Sequence, residues 1–337
     1  MSKTGLTLGK FAPLHKGHQY LIEAALAEVD DLSVLIYDTP DTEIPLSVRA
    51  GWIRRLYPQV RVVEGWDGPD GRSSERAFEI LQENYILHRL GGRKIDCFYS
   101  SESYGAHVSR ALGALDRRVD EARLAVPVSG TAVRRNAYAC RQFIDPVVYA
   151  DLVAKVVFVG SMSTGKTTLA TALAGRFKTQ WVREYGREYW EQHQENRRLS
   201  LAGLEEIAVG HRKLEEAAVL EADKFLFVDT NAITTYMFSV DYHGRATAGL
   251  TRLAREDSSR YDLFFLCEDD IPYDDTWCRS GDQKRQVFQK MIVADLKERR
   301  IPYIPLRGAL SERIARVEAV LASFRKYSNY YGSNVGA

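Results

Sequence analysis

The sequence predicts an α/β fold in two parts, a Rossmann-like half followed by a second parallel α/β half. Three observations predict it. At roughly 150 residues per domain, 337 residues make two domains, each large enough to bury a core. Short β-like runs alternate with longer amphipathic stretches, the pattern of βαβ units around a mainly parallel sheet, and the alternation happens twice. Hydrophobic residues make up 45% and charged residues 27%, the balance of a globular enzyme and not of a disordered, collagen-like or membrane chain.

In the first round TGLTLG (4–9), LSVLIY (32–37), VRVVEG (60–65) and IDCFYS (95–100) read as strands. HQYLIEAALAEV (18–29), PLSVRAGWIRRLY (45–57) and ERAFEILQENYILHRL (75–90) read as the helices between them. The second round has the fully apolar runs AKVVFVG (154–160), KFLFVD (224–229) and YDLFFLC (261–267), with long helical patterns between and after them. The seam falls near FIDPVVYADLV (143–153), where Pro146 can open a short helix, which gives domains of 1–150 and 151–337.

Lys plus Arg total 46 against 45 Asp plus Glu, so any anion site is local and no bulk cationic field invites nucleic acid or a membrane surface. Cys97, Cys140, Cys267 and Cys278 form no C-x-x-C pair, which argues against a zinc site or a disulfide framework. The N-terminus lacks a secretory apolar stretch and no window is apolar enough to span a bilayer, so a cytoplasmic location is expected.

The first chemical segment is Gly9-Lys10-Phe11-Ala12-Pro13-Leu14-His15-Lys16-Gly17-His18, directly after the first strand and running into a helix. A helix N-terminus presents unpaired N–H groups and a positive dipole end to phosphate. Gly17 permits close approach, and His15 and His18 can hydrogen-bond an α-phosphate whose charge builds during in-line attack. A second loop-to-helix entry, Ser129-Gly130-Thr131-Ala132-Val133-Arg134, offers hydroxyls and a guanidinium fork. Surface histidines and a plain helix cap are the alternatives for each segment alone. Together, in this order, the segments resemble the H-x-G-H and S-G-T-x-x-R signatures of the nucleotidylyltransferase superfamily.

The second segment, Gly160-Ser161-Met162-Ser163-Thr164-Gly165-Lys166-Thr167, fits G-x-x-x-x-G-K-[ST] between a strand and a helix that continues with Thr168. Its N–H groups would cradle the β- and γ-phosphates of ATP, Lys166 would bridge them, and the Thr167 hydroxyl would ligate Mg²⁺. Asp229 ends an apolar strand as a Walker B carboxylate does and is the second candidate for holding Mg²⁺, although a helix cap looks alike. Glu184, in VREYGRE, is the candidate base for an acceptor hydroxyl, against the alternative of a salt-bridged helix surface. The polar stretch 274–285 reads as a lid or a solvated loop, with Arg279 and Arg285 able to close over a transferred phosphoryl group.

A kinase makes a phosphomonoester and a nucleotidylyltransferase of this kind uses one as its nucleophile. GKFAPLHKGH, PLSVRAGWIRR, VSGTAVRRN, GSMSTGKTTLA, VREYGREYW and FVDTNAITTYMF resemble segments of the NadR family over nearly the whole chain. The resemblance implies a Rossmann-like adenylyltransferase domain followed by a P-loop kinase domain. It implies phosphorylation of nicotinamide riboside to nicotinamide mononucleotide (NMN) and adenylyl transfer from ATP to NMN, giving NAD and pyrophosphate. Nicotinamide riboside, NMN, ATP and NAD are then the partners, with self-association left open. For the riboside it implies Glu184, Arg187 and Asp229 as polar contacts and an aromatic sandwich. Tyr273 matches a position that is often Trp, and Trp277 and Tyr303 are further candidates, with core aromatics as the alternative. Some family members carry an N-terminal DNA-binding helix-turn-helix, for which this sequence leaves no room before its first strand, so no DNA binding is expected. The rival readings are a coenzyme A-type adenylyltransferase and kinase pair, and a nucleotide-responsive sensor without turnover.

Overall fold

The computed structural model describes residues 2–69, 75–102, 104–194, 198–273 and 282–327. Its contacts divide the chain into two compact units, one running to Tyr149 and taking in Tyr327, the other Ala150–Lys326.

The first unit contains β1 (Thr4–Gly9), α1 (Lys16–Leu26), β2 (Asp31–Tyr37), α2 (Leu46–Leu56), β3 (Arg61–Gly65), α3 (Arg76–Leu90), β4 (Cys97–Ser100), α4 (Gly105–Leu112), β5 (Leu115–Arg118) and α5 (Gly130–Arg135). Its strands form a parallel sheet in the order β3-β2-β1-β4-β5. The chain steps outward from β1 to β3 and then resumes on the other side of β1. The C-terminal end of β1 therefore lies at a topological switch point, where open parallel sheets form their ligand crevice. Leu6, Leu8, Leu35 and Phe98 face one side of the sheet and pack with Ile86 of α3 and Val108 of α4. The sequence does not announce β5: LDRR has no β-branched residue, and it forms only because an edge strand tolerates charge.

Helix α6 (Pro146–Leu152) leads to β6 (Ala154–Val159), α7 (Lys166–Phe177), β7 (Trp181–Val182), α8 (Tyr185–His193) and α9 (Leu201–Ala218). The second unit continues with β8 (Phe225–Asp229), α10 (Ala232–His243), α11 (Ala248–Asp257), β9 (Leu263–Cys267), α12 (Asp282–Glu298), β10 (Ile304–Leu306) and α13 (Leu310–Ser323). The sheet order is β10-β9-β6-β8-β7, again parallel throughout. Buried on both faces, β6, β8 and β9 read as continuous apolar runs. Phe158 on the central strand stacks between Phe227 and Phe265, at 6.1 and 5.8 Å between centroids. That face is covered by Leu169 and Leu173 of α7. Edge strand β10 escapes sequence reading because it has three residues, one of them Pro305. No helix among the described residues is long and apolar enough to cross a membrane.

Candidate active sites

In the first unit α1 begins where β1 ends, and His15 is its N-cap. His15 Nδ1 accepts from the Gly17 N–H at 3.2 Å, and His18 Nδ1 accepts from the His15 N–H at 3.4 Å. With both Nδ1 atoms used as acceptors, the neutral rings carry their protons on Nε2. The rings stack at 3.7 Å and the edge of Phe11 closes on His18. Burial, then the charge of Arg123 and Arg134, lowers the pKa of His15 to about 4. Burial, His15 and the same two arginines push His18 well below its ordinary value. At neutral pH both are uncharged N–H donors, suited to hydrogen-bonding an anion without titrating.

The two predicted segments meet. Ser129 caps α5, its side chain accepting from the Ala132 N–H, and Arg134 Nη1 donates to the Ala12 carbonyl at 2.7 Å across the loops. Arg134 Nη2 donates to Thr131 Oγ1 at 3.1 Å. Gly9, Lys10, Phe11, His18, Gly130 and Arg134 line a cavity of about 890 Å³, and Ser129 and Thr131 join them. His15 and Gly17 are not among its lining residues; they hold the turn behind His18. Lys10 Nζ is paired with Asp41 at 2.7 Å. Sequence reasoning missed Arg123, which also lines this cavity. Glu79 and His107, which line this cavity, and Glu83 beside them bring donor atoms within 4.8 Å of one another. Arg76 bridges both carboxylates at 3.0 and 2.7 Å, so the cluster is compensated from within.

In the second unit the 160–167 loop wraps the N-terminus of α7. Gly160 has φ +144°, and a Cβ there would meet the Cys267 carbonyl at 2.5 Å, so only glycine fits. The Ser161 N–H donates to Gln289 Oε1 at 2.8 Å, and Thr164 Oγ1 donates to the Ser161 carbonyl at 2.8 Å. Lys166 Nζ rests on the Gly160 and Ser161 carbonyls at 3.0 and 2.8 Å. Along β8, Phe225, Phe227 and Asp229 share one face, the face α7 covers, so the strand period delivers the Asp229 carboxylate to α7. Thr167 Oγ1 donates to Asp229 Oδ2 at 2.5 Å. Among the described residues, Asp229 Oδ1 is buried without a hydrogen-bond partner. Burial, and next the charge of Glu184, raises the Asp229 pKa to about 6. A hydroxyl beside a buried carboxylate with one unsatisfied oxygen is an oxygen donor set that suits Mg²⁺.

A cavity of about 530 Å³ opens over this loop, lined by Gly160, Ser163, Thr164, Gly165, Lys166 and Thr167, and further by Thr168, Glu184 and Arg187. Glu184 precedes α8 and lies 3.9 Å from Arg187. Ser161 and Asp229 sit beneath the lining. The aromatic wall differs from the sequence expectation. Among the described residues it consists of Tyr185, Trp190, Phe238 and Tyr242. Tyr303 does not reach it, because it precedes edge strand β10, which β9 and β6 separate from β8. Tyr273 lies under the Arg285 guanidinium, 5.6 Å from the ring centroid, and is not among the lining residues. Arg285, expected at the lid, is buried and donates to the Asp269 and Ile271 carbonyls. Trp277 and Arg279 lie outside the described residues.

Three supporting residues were also missed. Arg313 of α13 is buried and donates to the Gly308, Thr164 and Glu268 carbonyls at 2.9, 2.7 and 3.1 Å and to Asp270. Gln289 of α12 links Ser161 to the Cys267 carbonyl. His211 of α9 lines the cavity, its Nδ1 3.1 Å from Glu215; burial opposes its charge, but Glu215 prevails and its pKa is raised. The available signal is a polar residue inside an apolar helical stripe, as with Arg313 beside Ile314, Val317 and Leu321.

Residues 155–313 match the model of the AAA domain family. The chain is 29% identical over 336 residues to the "Trifunctional NAD biosynthesis/regulator protein NadR" of Salmonella typhimurium, covering 90% of this chain and 79% of that protein. It is 29% identical over 325 residues to the Escherichia coli protein of the same name, covering 89% and 78%. A crystal structure of a NadR protein in complex with NAD and AMP-PNP shares the fold, with TM-score 0.57, 21% identity and 96% of each chain covered. A NadR structure in complex with NR has TM-score 0.56 and 22% identity over 96% of each chain.

Proposed function

We propose that this chain, 29% identical over about nine-tenths of its length to two NadR proteins, is a NadR-family enzyme that makes NAD in two ATP-dependent steps, one in each half. In the second half the 5′-hydroxyl of nicotinamide riboside attacks the γ-phosphorus of ATP, giving NMN and ADP. Glu184 accepts the hydroxyl proton, and Arg187 lies 3.9 Å from its carboxylate. The N–H groups of the 160–167 loop and Lys166 hold the triphosphate, while the aromatic wall of Tyr185, Trp190, Phe238 and Tyr242 offers flat apolar surface to a pyridine ring. Thr167 and Asp229 would hold Mg²⁺, which when bound offsets charge on the phosphate oxygens.

In the first half a phosphate oxygen of NMN attacks the α-phosphorus of ATP, the bond to the bridging oxygen breaks, and pyrophosphate leaves. His18 and the α1 N-terminus supply hydrogen bonds where charge develops. The observation that carries the reading is a phosphate-type turn in each unit, each at a helix N-terminus and each opening into its own cavity.

The test is incubation with Mg-ATP and nicotinamide riboside, following NMN, NAD and pyrophosphate. All three are expected. Product from phosphopantetheine alone would overturn the assignment. His18→Ala should cut pyrophosphate release from ATP in the presence of NMN about 10²- to 10³-fold while riboside phosphorylation persists; unchanged release would remove His18 from the step.

A further inference from the structure

We infer that Arg123 is a phosphate-binding residue of the first cavity, gripping the β- and γ-phosphates of the nucleotide that leave as pyrophosphate. The inference rests on the adenylyltransferase reading of this half and adds a residue to it. A bound triphosphate brings several negative charges into the cavity, and the cationic side chains that line it are Lys10, Arg110, Arg123 and Arg134. His15 and His18 are neutral donors. Lys10 is paired with Asp41, and both Nη atoms of Arg134 are committed to Ala12 and Thr131. Arg123 lines the same cavity, and among the described residues its guanidinium meets only Glu102, at 3.9 Å between half-exposed groups. Such an exposed pair is weak and yields readily to a phosphate. The charge of Arg123 is felt by both histidines, which places it within electrostatic reach of the α1 N-terminus.

The loop is built to present this side chain. The Arg123 N–H donates to the Asp120 carbonyl at 2.8 Å, closing a tight turn. The Asp120 carboxylate accepts from the N–H groups of Leu124, Ala125 and Val126 at 2.7, 3.0 and 3.0 Å. Arg123 itself takes a left-handed backbone, φ +53°. Beyond Val126 the chain passes straight into the Ser129 cap of α5. One acidic side chain thus fixes the segment that carries the arginine next to the segment that binds phosphate.

The experiment compares Arg123→Ala and Arg123→Lys with the unaltered chain in adenylyl transfer and in the reverse, pyrophosphate-consuming reaction. Arg123→Ala should lower kcat/KM for ATP and for pyrophosphate about 10²-fold, with Arg123→Lys recovering part of the loss. Asp120→Asn, acting through the loop, should fall between them, and riboside phosphorylation should be unchanged. In a Lys166→Ala background, where the other phosphate loop is weakened, ATP should bind Arg123→Ala more weakly by a similar factor. Values for Arg123→Ala within about twofold of the parent, in turnover or in that binding measurement, overturn the inference. Absence of pyrophosphate release by the unaltered chain would instead overturn the adenylyltransferase reading, and the binding measurement would still judge Arg123.

Discussion

His15 and His18 spend their Nδ1 atoms on the backbone of the turn they occupy, so position, protonation and tautomer are decided together. Their low pKa has a thermodynamic consequence. Above about pH 6.5 neither the folded nor the unfolded chain protonates His15. Between that pH and about 4 the unfolded chain binds a proton that the folded one refuses, so the stability of the first unit falls as pH falls. From about pH 7 to about pH 5 the His15 share of the loss is about 2 kcal/mol. Urea unfolding of the parent and of His15→Gln across that range checks it: the variant should lose less, and parallel curves would refute it. His15 and His18 and their spacing were legible in the sequence. Their tautomer was not, since it depends on N–H groups that point at the rings only once the turn has formed.

At the level of elements, the phosphate loop of the second unit is held from outside by two helices late in the chain. Arg313 of α13 reaches the Thr164 carbonyl and Gln289 of α12 reaches the Ser161 N–H. Replacing Arg313 by Met strands buried carbonyls and the Asp270 carboxylate, at a cost of about 3 kcal/mol. The expected result is a lower urea midpoint for the second unit and a raised KM for ATP in riboside phosphorylation. An unchanged midpoint and KM would mean the loop keeps its shape unaided. The strands β6, β8 and β9 were visible as apolar runs because parallel strands buried on both faces have no other way to read. Strands β5 and β10 were not, because edge strands follow from the neighbours they join and carry little pattern of their own. The helical stripe of α13 was visible, but its one cation acquires a purpose only from the loop packed above it.

For the whole molecule, the decisive property is that each unit has its own strand-to-helix turn and its own cavity. Lys166→Ala should therefore abolish riboside phosphorylation and spare adenylyl transfer from supplied NMN, assayed side by side on one preparation. Loss of both activities in a folded variant would contradict independent sites. By itself the sequence determined the repeated α/β alternation and the two strand-to-helix turns with their glycines, histidines, lysine and hydroxyls. All of these are local: strand, turn and helix N-terminus lie within about twenty residues, and hydrophobic period and turn chemistry encode them directly. Only the tertiary structure decided which distant side chains share a cavity. It placed Arg123 with His18, lined the second cavity with Tyr185, Trp190, Phe238 and Tyr242, left Tyr303 outside that lining, and buried Arg285 beneath carbonyls. Contacts between residues far apart in sequence are set by strand order and helix packing, and an aromatic or an arginine looks the same in a sequence whether a core, a carbonyl or a ligand will claim it.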